Sequence, residues 1–390
     1  MTSAEELQAA AKKTQDSAAG VDGYRGEEVA MWPRRVWEEV AHLLRRWKAT
    51  SQWPEAWREA RQVHLPKAEV DLTGGACRVE KVRPITVLSA VWRVISKAIA
   101  KNGEVMSWLQ QVLADNQFGG IPHRSLEGAV AELHGQFLNK DGILVSLDYS
   151  QCFDRTDPAM ALAIMRRAGC QQWLAEMIAH LWQHQRRWLS LQGSVLRQPF
   201  PVSKSMPQGD PLAPLVLNVV LSSPTRGFTK VFRRAKAATF LDDRCLVLSQ
   251  PREVQEAVHF WMGWSERLGL LENQSKMAVV CRKQKQREEL QQLDFPDNVF
   301  KTSTRVLGID FTGTANQAAR PTADTRLEEA TRRGRRLQCA KLGKAATKRL
   351  WRSHISSLAA WGHWFRGPSR KKADRLEAVW RKTLRVHQTG

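Results

Sequence analysis

Apolar and polar positions along this chain follow two periods, and the changes between them mark out its elements. Over residues 27–60, Val36, Val40, Leu43, Leu44 and Trp47 recur three or four residues apart among charged side chains, which predicts an amphipathic helix. Pro54 opens a second, short one. The loop PKAEVDLTGGACRVEKVRP separates these from TVLSAVWRVISKAIAKN, where helical spacing returns. The run from Ile143 to Leu147 reads as a strand ending at Asp148, after which Asp157 and Pro158 supply an N-cap and a first-turn proline. Gly169 closes that helix. In AATFLDDRCLVLS the flanks are apolar apart from Thr239, and the polar tip of Asp242, Asp243 and Arg244 reads as a tight hairpin. Between the two lies SMPQGDPLAPLVLNVVLSS, where Gly209 permits a turn, Asp210 can N-cap and Pro211 opens an apolar helix. No internal repeat recurs at a fixed period.

Composition and charge narrow the class of partner. A chain of 390 residues with 43% hydrophobic residues has ample material for a core, and a net charge of +21 points to a polyanion. Residues 331–390 carry 17 Lys or Arg against Asp374 and Glu377, so +15 of that charge lies there. Leu337, Leu342, Leu350, Ile355, Leu358, Trp361, Trp364 and Phe365 punctuate the run at roughly helical spacing, which predicts basic helices rather than a solvated tail. No apolar run approaches the roughly 18–20 residues of a membrane span, and the N-terminus has no apolar signal core. The expectation is a soluble, intracellular protein of nucleus or cytoplasm that does not engage membranes. Cys77, Cys152, Cys170, Cys245, Cys281 and Cys339 lie far apart, which argues against a disulfide framework or a structural zinc site. Sixteen Trp stand against two Tyr, most of them expected in the core.

The candidate chemistry lies in three acids. Asp148 emerges at the carboxyl end of a strand, at the mouth of a sheet, and Asp242 and Asp243 sit at a turn. Adjacent carboxylates repel and raise each other's pKa unless they share a cation. An isolated Asp-Asp is most often a turn dipeptide, but apolar flanks on both sides hold this one rigidly. Three carboxylates from two strand ends would suit two Mg²⁺ roughly 3.5–4 Å apart, Mn²⁺ being the alternative, for in-line attack on phosphates. The turn before the apolar helix presents backbone N–H groups to a phosphate or a template backbone, with Gln208 offering both donor and acceptor.

The order of segments RPITVLSAVWRVISKAI, NQFGGIPHRSLEGAV, LDYSQCFD, MPQGDPLAPLVLN, FLDD, GLLENQSKMAVV and VLGIDF resembles the successive blocks of reverse transcriptases, most closely those of non-LTR (LINE-type) retrotransposons. GVDGYRGEEV, SQWPEAWREARQVHLPK and VRPIT are similar to the finger region of that group, so the resemblance covers about residues 18–312. It implies an α+β right-hand polymerase: fingers over 18–140 after a tail at 1–17, and a palm with an antiparallel sheet over 141–312. A linker at 313–326 and a basic helical thumb over 327–390 would follow. It also implies an RNA-directed DNA polymerase that takes an RNA template, a DNA or RNA primer and dNTPs.

Carried over by position, Asp148 matches the first metal ligand, and Asp242 and Asp243 match the paired aspartates of Y/F-x-D-D. Phe153 matches the steric gate beneath the incoming sugar, whose ring disfavours a 2′-hydroxyl. Gln208 matches a residue beside the sugar, Arg83 a finger residue gripping the triphosphate, and Lys276 a base near the leaving phosphates. Lys67 and Lys81 are further phosphate-binding candidates, Leu307 and Gly308 match the primer-grip turn, and Asp154 is read as structural. The chain departs from the common pattern in Leu241, where a small residue is usual, in Cys152, where alanine is usual, and in NQFGGIPHRS, which lacks an aromatic and a basic position. No endonuclease, Cys/His motif or RNase H-like segment is recognisable, so the expectation is a polymerase core alone. Phe153 argues against an RNA-copying RNA polymerase, and the intact acids argue against a maturase-like or domesticated protein that only binds RNA. A two-metal nuclease would leave the PQGDP turn unexplained.

Overall fold

A computed structural model describes residues 2–66, 82–139, 142–191, 194–313, 321–340, 342–361 and 370–384. Its strands are β1 (Glu59–Pro66), β2 (Val82–Leu88), β3 (Ile143–Leu147), β4 (Arg186–Leu191), β5 (Ser194–Val195), β6 (Phe200–Pro201), β7 (Lys236–Phe240), β8 (Asp243–Leu248), β9 (Ala278–Val280), β10 (Ser303–Val306) and β11 (Ile309–Thr312). The amphipathic run forms the helix Arg34–Thr50, but Pro54 starts only a single 3₁₀ turn, Glu55–Arg58, before the chain extends into β1.

The central sheet runs β7-β8-β3-β9 and is antiparallel throughout. Strand alternation buries both of its faces. Ile143, Val145, Leu147, Leu246 and Leu248 pack with Phe228, Val254 and Trp261 on one side. Leu144, Cys245, Val247 and Val280 pack with Val130, Leu133, Phe137 and Phe311 on the other. The expected α+β architecture with an antiparallel palm-type sheet is therefore present. A second sheet, β2-β1-β4-β5 with β6 beside β4, pairs β1 antiparallel to β2 and parallel to β4. It adjoins a helical core in which Trp37, Trp92 and Trp182 are fully buried. The abundance of tryptophan has a packing account there: the Trp47–Trp57 and Trp57–Trp92 ring centroids lie 4.9 and 5.0 Å apart.

The second sheet meets the start of the long helix at the PQGD turn. The Thr86 N–H donates to the Gln208 carbonyl at 2.7 Å, and a Cβ on Gly209 would stand 2.4 Å from the Thr86 carbonyl oxygen, with φ at +131°. Only glycine fits there. Asp210 does not cap a helix opened by Pro211. Its carboxylate is fully enclosed, accepting from the Leu212 N–H and from the indole N–H groups of Trp92 (3.0 Å) and Trp182 (3.1 Å), and the helix Ala213–Val231 begins later with Pro214 in its first turn. The prolines were ambiguous because either satisfies the first-turn preference.

Among the described residues the C-terminal region is mostly helical, as the spacing predicted, and includes Pro321–Cys339, Lys344–Leu350 and Arg370–Leu384 around Leu327, Ala330, Trp351, Ile355 and Val379; Trp364 and Phe365 lie outside the described residues. The part of the expected linker from Pro321 onward is helix, and residues 314–320 lie outside the described residues. Among the described residues no helix is long and apolar enough to cross a membrane.

Gly209→Ala should cost about 2–3 kcal/mol in chemical denaturation, because both the positive φ and the contact with Thr86 oppose a side chain. A loss below about 1 kcal/mol would show that the turn is not held as described.

Candidate active site

The acids gather where β3 and the β7–β8 hairpin end together. Leu147 pairs with Arg244 and Phe240 with Asp243, so Leu241 and Asp242 form a two-residue turn and Asp243 is already in β8. By alternation Asp148 and Asp243 share the face of Ser146 and Cys245, whereas Arg244 points to the opposite face with Leu147. The polar tip read from the sequence is thus corrected: Arg244 is 1% exposed and lies beneath the acids. Leu241 has φ +56°, a left-handed conformation costly for a bulky residue. It is braced by Gly119, where a Cβ would lie 2.6 Å from Leu241 Cγ. The backbone of Asn116 to Phe118 pairs with Thr239, and Gln117 and Asn218 lock that loop from within. Gly119 of NQFGG therefore supports the hairpin turn.

Asp148 is 8% exposed, and its Oδ2 accepts from Lys276 Nζ at 2.6 Å. Asn273 N–H donates to the Asp148 carbonyl at 2.8 Å, and Tyr149 bridges to Glu272, so the segment carrying Lys276 is stitched along the strand end. Lys276 is held above the usual lysine range by that hydrogen bond. Burial and the neighbouring Asp148 raise Asp242. Asp243, the most open of the three, is pushed up to about 6 by desolvation and then by Asp242 and Asp148, against the pull of Lys276 and Arg244. Among the described residues no three His, Cys, Asp or Glu side chains converge as a closed metal cage, these three included. The donor chemistry nonetheless suits a hard divalent cation: carboxylate oxygens only, with Asp242 and Asp243 made to resist ionisation by burial first and by their acidic neighbours second.

Arg244 forms a two-pronged ion pair with Glu272 at 2.7 and 2.8 Å, and its guanidinium lies 3.5 Å from the Tyr149 ring centroid. Ser265 Oγ donates to the same Glu272 at 2.5 Å. Sequence reasoning passed over this pair, although a charged residue inside the apolar period of RCLVL was a signal that a buried partner existed.

Gln208 Nε2 donates to Asp154 Oδ2 at 2.9 Å, and Ser205 Oγ donates to Asp154 Oδ1 at 3.1 Å. Burial raises the Asp154 pKa against these bonds and the nearby Arg187 and His64. Arg187, 3% exposed, donates to Gln185, Gln62 and Ser205, a network with no motif in the sequence to announce it. Phe153 is half-buried against the helical core, and its carbonyl accepts from Met206 N–H at 2.8 Å. Arg83 is exposed on β2 opposite Leu65. Leu307 (φ +49°) and Gly308 (φ +84°) form the β10–β11 turn, whose carbonyls accept from Trp361 Nε1 at 3.2 Å and Arg326 Nη1 at 2.7 Å. Lys67 and Lys81 lie outside the described residues.

The sequence matches the family described as reverse transcriptase (RNA-dependent DNA polymerase) over residues 65–311. It is similar to the retrovirus-related Pol polyprotein from type-1 retrotransposable element R2 of Popillia japonica, at 24% identity over 62% of this chain and 34% of that protein. It is similar also to the corresponding polyprotein from type-2 retrotransposable element R2DM of Drosophila melanogaster, at 22% identity over 81% and 31%. The chain thus spans about a third of the length of these relatives. Among solved structures it resembles telomerase from Candida albicans in complex with the TWJ fragment of telomeric RNA, with TM-score 0.47 and 11% identity over 90% of this chain and 63% of that one.

In the presence of a chelator, Asp243→Asn should raise the melting temperature at pH 7.5 and leave it unchanged near pH 4. A carboxyl whose folded pKa of about 6 exceeds its unfolded value makes the protein lose stability as pH rises between the two, and removing the charge removes that loss. An equal effect at both pH values would refute the assigned repulsion.

Proposed function

The chain belongs to the reverse transcriptase (RNA-dependent DNA polymerase) family, and from that premise we propose that it is the RNA-directed DNA polymerase core of a non-LTR retroelement. It would add deoxynucleotides to a primer 3′-hydroxyl on an RNA template. The observation that carries this reading is the meeting of Asp148, Asp242 and Asp243 at one end of the central sheet in a chain of net charge +21.

The family uses divalent metal ions, and here the three aspartates would hold two Mg²⁺, or Mn²⁺. Bound ions supply activation of the primer hydroxyl and neutralisation of the triphosphate. The protein's own groups do the rest. Lys276, beside Asp148, donates to the departing phosphate oxygens. Arg83 grips the triphosphate from the fingers, aided by Lys67 and Lys81. Phe153, fixed by its backbone bond to Met206, closes the floor under the sugar against a 2′-hydroxyl. Because Asp154 accepts from the Gln208 amide, Gln208 turns its carbonyl oxygen outward as an acceptor beside the sugar. The Leu307–Gly308 turn steadies the primer. The groove of about 580 Å³ lined by Arg332, Arg335, Arg336, Lys372 and Arg375 offers the thumb's sequence-independent phosphate contacts.

Wild-type protein with Mg²⁺ should incorporate dTTP on poly(rA)/oligo(dT), and Asp242→Asn should reduce this by roughly 10²–10³-fold or more. RNA binding without incorporation by the wild type would overturn the polymerase reading. Phe153→Val should raise ribonucleotide use relative to deoxynucleotide use by about tenfold or more, and an unchanged ratio would remove Phe153 as the gate.

A further inference from the structure

An arginine and a glutamate enclosed within a sheet–helix core call for a reason. Arg244 has a fully buried side chain and that of Glu272 is 9% exposed. Such a pair is weak evidence of stabilisation, because desolvating two ions costs about as much as their attraction returns. Its geometry is specific instead. The guanidinium meets Glu272 with both prongs, lies 3.5 Å from the Tyr149 ring centroid and 5.1 Å from that of Trp261, and so is fixed in direction as well as distance.

Three groups of this arrangement, Arg244, Tyr149 and Glu272, are each next in sequence to a member of the acidic cluster or to a residue that holds one. Arg244 follows Asp243. Tyr149 follows Asp148. Glu272 precedes Asn273, whose N–H holds the Asp148 carbonyl and whose side chain lies 3.5 Å from Asp148 Oδ2. The bridge between Tyr149 and Glu272 closes the circuit, and Ser265 fixes the Glu272 carboxylate from the helix Pro251–Arg267. We infer that Arg244 and Glu272 are a positioning pair, which sets from beneath the separation between Asp148 and the Asp242–Asp243 turn that cation binding requires. This rests on the metal-dependent reading above.

The pair is neutral as a whole, so removing both charges leaves the net charge of the site unchanged. A fall in cation affinity then reports position rather than charge. The Arg244→Met/Glu272→Met double variant strands no single buried charge and should fold, as thermal melting can check. Calorimetric titration of the free protein with Mn²⁺ should show affinity weakened by roughly tenfold or more, and kcat for primer extension should fall by roughly as much, with KM for dTTP within about twofold. Mn²⁺ affinity and kcat both within about twofold of wild type would overturn the inference. Arg244→Gln/Glu272→Gln, which also removes both charges together but keeps a polar side chain at each position, is the second variant should the first double variant not fold: a similar loss of Mn²⁺ affinity supports the inference and an unchanged affinity sinks it. Wild type that binds Mn²⁺ but extends no primer would defeat the polymerase reading while the affinity comparison still decides the positioning claim. Wild type that binds no Mn²⁺ would defeat the positioning claim itself.

Discussion

Like charges drive Asp148, Asp242 and Asp243 apart, and burial strengthens the repulsion because the surrounding dielectric screens it less than water does. A cluster of this kind persists only if the backbone leaves its members nowhere else to go. The β3–β8 register supplies that confinement: once Leu147 faces Arg244, the strand end and the hairpin turn must emerge side by side. Lys276 eases the strain from above by taking up one carboxylate, and the Arg244–Glu272 pair holds the two strand ends from below.

The surrounding elements are joined by specific polar links as much as by apolar burial. Asp210 ties two helices together through two indole N–H groups, and Gln117 and Asn218 tie the NQFGG loop to the long helix behind the sheet. Each is enclosed, where losing one partner leaves a buried polar group unmet and therefore costs more than the net worth of a single hydrogen bond. The second link lies beside the hairpin turn that bears the acids, and it accounts for why a left-handed Leu241 is tolerated: Gly119 and the paired loop backbone hold it in place.

Much of this was legible in the sequence. A period-2 run that stops on an aspartate marks a strand mouth, and an acid pair between apolar flanks marks a hairpin, so the elements bearing the three acids could be read without a structure. The face on which each acid lies was not legible, since it depends on which residue of β8 stands opposite Leu147. For the same reason Arg244 was read as part of the tip when it is a buried base. Asp210 looked like a helix cap because its true partners, Trp92 and Trp182, are more than a hundred residues upstream and about thirty upstream respectively. The Arg187–Ser205–Asp154 network left no trace, because its members come from separate segments with no shared spacing.

The contact between Thr86 and the Gly209 turn also has a mechanical side. With backbone joined to backbone there, β2 cannot pivot at its inner end without dragging the start of the helix Ala213–Val231. The free lever is only the stretch from Thr86 out to Arg83, about 10 Å at roughly 3.3 Å per residue. A lever that short sweeps a small arc, so Arg83, exposed at the far end of β2, stays within a few ångströms of one reach from the Gly209 turn that opens the long helix.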